Sequence, residues 1–126
     1  MKFKAICENH LYSKAYSKGK RCVTSALAVY ILPDYAAERL RRAHPQKLRV
    51  NRIGLTVSKK LGNAVRRNRA KRVIREAYRN VLRQNAVRTG FLIVIAAREK
   101  ATVMKSTAVA AELRTAFIRL GLIATV

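Results

Sequence analysis

The seven apolar residues at 91–97, FLIVIAA, constrain the fold of this chain most strongly. The run is too short for a bilayer, which takes about 20 residues as a helix. It is apolar on both alternating faces, as a strand covered on both sides is. It therefore predicts a sheet with helices packed against it.

The flanking segments supply those elements. Asn9 caps a short helix from His10 to about Lys18, and Gly19 ends it. Residues 21–32, RCVTSALAVYIL, read as one strand stopped by Pro33-Asp34. Residues 33–49 form a long connection. Its piece from Tyr35 to Ala43 could make two helical turns before the break at His44-Pro45. A further strand runs from about Val50 to Ser58, with Ile53, Leu55 and Val57 on one face and Gly54, Thr56 and Ser58 on the other.

Gly62-Asn63 opens a long helix to about Gln84, and Thr89-Gly90 breaks the chain before FLIVIAA. Ser106 caps a last helix to about Leu120, with Gly121 just past its end. The order read this way is α, β, long loop, β, α, β, α. The strand–helix–strand stretch from 50 to 97 predicts a parallel pair.

The 126 residues suit a single domain, 1–126. A hydrophobic content of 50% is enough for a core, so the formal charge of +22 is not that of a disordered tail. Such a charge opposes compaction through self-repulsion and calls for a polyanionic partner. Nucleic acid fits a folded, strongly basic domain better than a membrane surface or an acidic protein does. The start of the chain has no secretory pattern of a charged segment, an apolar segment and a small-residue cleavage site. Cys7 and Cys22 form no CxxC, and with two histidines they leave no structural zinc site. A reducing cytoplasm is the expected compartment, with both thiols as packing residues.

Half of the charge is concentrated. From Arg39 to Arg75 there is no acid, and 14 of the 28 basic residues lie there. Lys59 to Arg75 holds eight cations. At 100° per residue, the long helix places Ala70, Val73, Ile74, Ala77, Tyr78, Val81 and Leu82 on one side. Asn68, Arg69, Arg72, Arg75, Arg79 and Arg83 fall on the other, with Arg67 and Lys71 near the boundary. Cations at i, i+3 and i+4 repel one another, and those in the first turn oppose the helix dipole. Selection for helix stability alone would not put Arg66, Arg67 and Arg69 there. RNA phosphates, which pair with forked guanidiniums, would neutralise them.

A second feature is aromatic. Tyr12 and Tyr16 are four apart on the first helix, and Tyr30 lies on a strand whose same face carries Thr24, Ala26 and Ala28. The small face Gly54, Thr56, Ser58 could adjoin it. Three tyrosines beside an open sheet face, with cations nearby, suit a single strand whose bases stack and whose phosphates pair. Alternatively Tyr12 and Tyr16 simply pack the helix onto the sheet. Spacing alone does not decide between these readings.

Six scattered acids with His10 and His44 do not supply a two-metal nuclease site, and neither histidine has an acidic orienter for a nucleophilic triad. No catalytic residue and no metal ligand is assigned to the chain.

The residues resemble a known signature. Gly54-Leu55-Thr56-Val57-Ser58-Lys59-Lys60, Gly62-Asn63-Ala64-Val65, and Arg67-Asn68-Arg69 followed by Lys71-Arg72 and Arg75-Glu76 resemble the bacterial ribonuclease P protein subunit family. Tyr12, Tyr16, Gly19-Lys20 and Tyr30 match its N-terminal half. The resemblance implies an α/β (α+β) two-layer sandwich, order αβββαβα, with helices packed on a small mixed sheet. It also implies a left-handed βαβ crossover, against the usual right-handed rule.

The resemblance further implies that a large catalytic RNA performs Mg²⁺-dependent removal of the 5′ leader of precursor tRNA. Mg²⁺ is then held mainly by the RNA, with one protein expected per RNA. Lys59, Lys60, Asn63, Arg67, Asn68, Arg69, Lys71, Arg72 and Arg75 take the role of facing the catalytic RNA. Tyr12, Tyr16 and Tyr30, with Lys18 and Lys20 as weaker additions, take the role of binding the leader. The family more often has Phe at the first two aromatic positions, and Tyr keeps the stacking face.

Three departures bear on leader binding. Ser25 stands where the family often has a basic residue, Leu11 where it often has an acid, and the 33–49 connection is longer than the usual hairpin. The competing reading is a ribosomal or general structural RNA-binding protein, which accounts for the charge but not for the Arg-Asn-Arg run beside the tyrosines. A cationic membrane-surface protein would need Trp or Phe opposite the cations of its helix, and the arginine helix has neither.

Overall fold

The computed structural model describes residues 4–5, 9–34 and 51–123. The elements are β1 (Lys4–Ala5), α1 (Asn9–Lys18), β2 (Lys20–Val23), β3 (Leu27–Pro33), β4 (Arg52–Thr56), α2 (Ala64–Gln84), β5 (Phe91–Ala97) and α3 (Ser106–Arg119). Two short 3-10 turns, Lys59–Leu61 and Glu99–Thr102, precede α2 and α3. The strands form one mixed sheet in the order β1-β4-β5-β3-β2. β4 pairs parallel with β5 and with β1, while β3 pairs antiparallel with β5 and β2. The connection between β4 and β5 is the arginine helix α2. The helical segment expected at 35–43 lies outside the described residues.

β5 sits between two strands, and its side chains alternate between two apolar clusters. Ile93 and Ile95 join the main core with Val29, Ile31, Val73, Ile74 and Tyr78 from β3 and α2, and Val109, Leu113 and Phe117 from α3. Leu92 and Val94 point to the other face, where they pack with Ala15 and Leu32, and with Leu11, Tyr12 and Tyr30 at the margin. This is why the 91–97 run is apolar throughout. α2 and α3 form one helical layer on the sheet, and among the described residues α1 covers part of the opposite face. Leu11 belongs to this small cluster.

Residues 21–32 are not one strand. The chain folds back at Thr24–Ala26, giving the β2–β3 hairpin in which Cys22 faces Val29 and Arg21 faces Tyr30. The Thr24 amide donates to the Leu27 carbonyl at 2.7 Å, and the Leu27 amide donates to Thr24 Oγ1 at 3.2 Å. Glu112 on α3 completes the turn, accepting from Ser25 Oγ at 2.8 Å and from the Ala26 amide at 3.1 Å. Arg98 Nη1 donates to the Thr24 carbonyl at 2.6 Å. Ser25 is thus bound to a carboxylate.

Helix ends follow local chemistry. Asn63 Oδ1 accepts from the Arg66 amide at 3.0 Å and caps α2. Ser106 is the first helical residue of α3, not its cap: Lys105 holds that place without a side-chain cap bond. At the other end Gly121 has φ +81, and the amides of Gly121 and Leu122 donate to the carbonyls of Ile118 and Phe117. This left-handed cap drops Leu122 into the core.

At the far end of the sheet, Arg52 Nε and Nη2 clasp Asp34 Oδ2 and Oδ1 at 2.7 and 2.9 Å. Asp34 is 3% exposed, so this is a buried bidentate pair joining the end of β3 to the start of β4. Cys22 is half-buried against the core; Cys7 lies outside the described residues.

Candidate nucleic-acid interface

The α1 face of the sheet holds the tyrosines. The register aligns Tyr30 with Val94 and Val94 with Gly54, so the three share one row across β3, β5 and β4. β4 and β3 are not neighbours: β5 separates the small face of 54–56 from Tyr30. Tyr16 and Tyr30 meet edge to face, with ring centroids 4.8 Å apart. The Tyr16 hydroxyl lies 3.0 Å from Thr56 Oγ1, tying α1 to β4 across this row. Tyr16 is 42% exposed, whereas Tyr12 is half-buried. The helix therefore packs through Tyr12 and keeps Tyr16 at the solvent margin.

Gly19 lets the chain turn tightly from α1 into β2. A Cβ there would lie 2.5 Å from the Ala15 carbonyl oxygen and 2.7 Å from that of Ile31. Lys18 and Lys20, either side of it, are exposed. The register puts Lys20 opposite Ile31, on the α2 face rather than the tyrosine face. Arg21, opposite Tyr30, is an exposed cation on the tyrosine face. Sequence reasoning missed it because a continuous strand from 21 to 32 offers no partner for Tyr30.

The second cationic group begins at the turn before α2. Ser58 Oγ accepts from the Lys60 amide at 3.2 Å, and Gly62 takes φ +126, which leaves Lys59 and Lys60 exposed. Along α2, Asn68, Arg72 and Arg75 are exposed, and Arg67 and Lys71 are half-buried. The Arg67 Nε is buried without a hydrogen-bond partner. Asn63 is exposed but spends its carbonyl oxygen on the cap.

Arg69 departs from the helical projection. It is half-buried instead of solvent-facing, because the turn Glu99–Thr102 packs on that side of α2. Its Nη1 donates to the carbonyls of Thr102 and Met104. Charge is also uneven along the helix. Glu76 pairs with Arg79 at 3.5 Å and Arg83 at 3.7 Å in the C-terminal half, while the N-terminal half holds no acid.

The two groups meet at the edge of β4. A cleft of about 220 Å³ runs between α2 and that edge. Its floor is Ile53, Leu55, Ile74 and Ile95, Lys71 and Arg75 stand on the α2 side, and Tyr12 stands on the α1 side. Tyr78 closes it, its hydroxyl pushed up to about 12 by burial against a weaker opposing hydrogen bond from Asn51, so the ring stays neutral. Among the described residues no group of three or more His, Cys, Asp or Glu side chains could hold a metal ion. No helix of these residues is long and apolar enough to cross a membrane.

The family model for ribonuclease P matches residues 1–121. The chain belongs to the ribonuclease P protein family. A Clostridium acetobutylicum ribonuclease P protein component is 31% identical over 123 residues, covering 98% of this chain and 93% of that protein. One from Dehalococcoides mccartyi is 47% identical over 64 residues, covering 51% of this chain and 50% of that protein. The structure of the Staphylococcus aureus RNase P protein superposes with a TM-score of 0.72 at 26% identity, covering 98% of this chain and 100% of that one. Within the ribonuclease P protein fold, the mixed sheet thus carries the tyrosine row on one face and the arginine helix on the other, with the β4 edge between them.

Proposed function

We propose that this chain is the protein subunit of a ribonuclease P ribonucleoprotein. It binds the catalytic RNA through the turn at Lys59–Leu61 and the N-terminal half of α2, and the 5′ leader of precursor tRNA through the tyrosine face. The observation that carries this reading is the cleft at the β4 edge, where Lys71 and Arg75 come within one cavity of Tyr12. Two RNA segments held on these surfaces lie side by side, as leader and catalytic RNA must at a cleavage site.

The leader bases stack on Tyr16 and Tyr30, and Arg21 and Lys18 pair with its phosphates. Lys59, Lys60, Arg67, Lys71, Arg72 and Arg75 engage phosphates of the catalytic RNA. The protein contributes binding and charge neutralisation, and the RNA contributes the chemistry. Mg²⁺, held by the RNA, supplies the activation of water and the stabilisation of the leaving oxygen. Lowering phosphate repulsion lets the RNA take up Mg²⁺ at lower concentration. The assembly has one protein per RNA and works in the cytoplasm.

The test is to purify the protein from cells and sequence the RNA bound to it. A single catalytic RNA is expected. Ribosomal RNA alone would favour the ribosomal reading.

A further inference from the structure

We propose that the turn between β5 and α3, residues 98–105, is a third RNA-contacting element, with Lys100 and Lys105 as phosphate ligands and Arg69 as the residue that positions it. This rests on reading the chain as an RNA-binding subunit and goes beyond the residues assigned above.

The turn is fastened to the start of the arginine helix. Arg69 Nη1 donates to the Thr102 carbonyl at 2.8 Å and to the Met104 carbonyl at 3.3 Å. Arg66 Nη2 donates to Thr102 Oγ1 at 3.2 Å, and that hydroxyl in turn donates to the Glu99 carbonyl at 2.7 Å. Thr102 is 4% exposed, so these bonds are shielded from water and fix the turn against α2. Two guanidiniums of a helix end already crowded with cations are thus spent on neutral acceptors. That arrangement gains nothing in charge compensation. It does fix the turn beside the helix end that carries the other cations.

The outer side of the turn carries Lys100 and Lys105, both exposed. Among the described residues no ion pair engages either. Glu99 is the one acid of the turn, and Arg98 balances it in charge. Val103 is 67% exposed and Val65, in the first turn of α2, is 77% exposed. Neither has a packing role at such exposure, and both suit ribose and base edges between phosphate contacts. Lys59 and Lys60 before the helix and Lys100 and Lys105 beside it then present phosphate ligands from two separate turns. A duplex or a sharply folded RNA backbone matches such a surface better than one extended strand does.

The experiment measures binding of the full-length protein to a bacterial ribonuclease P RNA across a salt series. Replacing Lys100→Ala and Lys105→Ala together is expected to make the slope of log K against log salt shallower by about 1 for each lysine. Arg69→Ala is expected to weaken binding in the wild-type background and to do so much less where both lysines are already absent, because it acts through the turn. Wild-type binding with an unchanged slope in the lysine variant overturns this inference alone. Fully additive losses overturn the positioning role of Arg69. A wild-type protein that does not bind the RNA overturns the functional reading and this inference with it. If Arg69→Ala does not fold by circular dichroism, the surface lysine pair still decides.

Discussion

The ring of Tyr12 fills the space that a side chain at Gly54 would need: a Cβ built there lies 2.5 Å from the ring's Cε1 and hydroxyl oxygen. Gly54 thus lets α1 seat its inner tyrosine against β4, which holds Tyr16 within reach of Thr56. Gly54→Ala should push the Tyr12 ring outward and cost about 1–3 kcal/mol of stability by overpacking. It should also weaken precursor tRNA binding, because the Tyr16–Tyr30 pair shifts with the helix. Urea unfolding and filter binding measure the two effects.

Tyr16 is the outer ring of the pair, and its loss should discriminate between RNA ligands. Tyr16→Ala should weaken binding of precursor tRNA by about 1–3 kcal/mol, the range for one stacked base. Mature tRNA, which has no leader, should bind as before. Equal weakening of both would refute a leader site at this face. Tyr16→Phe keeps the ring, loses the Thr56 hydroxyl contact, and should retain most of the preference.

Much of this face was legible in the sequence. Tyr12, Tyr16 and Tyr30 stood out through helical spacing and strand assignment, and Gly62-Asn63 marked the start of α2. The β2–β3 turn was not legible. Thr24-Ser25-Ala26 continues a strand-like run, and the group that bends it, Glu112, is 86 residues further along the chain. β1 has two residues, paired with β4, and carries no local signal. Helical projection places Arg69 on the solvent side, since periodicity reports the side of a helix and not what covers it. The faces of Lys20 and Arg21 were not legible for a related reason: in a strand, the pairing register decides the face, and the hairpin sets the register.

The buried Asp34–Arg52 clasp should dominate stability at its end of the sheet. Asp34→Ala removes a buried carboxylate from the Arg52 guanidinium, whose side chain is only 13% exposed, and should cost up to about 3–5 kcal/mol. Replacing both residues with apolar ones of similar volume should recover much of that loss. Denaturant midpoints of the three proteins provide the measurement.

Glu112 makes stability depend on pH in the acid range. Burial opposes its ionisation, but hydrogen bonds from Ser25, Ala26 and Thr24 outweigh that and hold the carboxyl below its ordinary 4.5. A depressed folded-state pKa contributes stability that is present above the unfolded value and is lost as pH falls through the folded one. Thermal unfolding should therefore show a loss of stability on acidification below about 4.5, starting from the ordinary carboxylate value. Glu112→Gln should be less stable at neutral pH and should lack this component.

The central claim is that the chain assists an RNA catalyst and cleaves nothing by itself. The most direct measurement is cleavage of a precursor tRNA at low Mg²⁺ by the protein alone, by a bacterial ribonuclease P RNA alone, and by the two together. Efficient release of the 5′ leader is predicted only for the mixture, with the RNA alone recovering activity as Mg²⁺ is raised. Leader release by RNA-free protein, or a mixture no more active than the RNA alone at low Mg²⁺, would contradict the account.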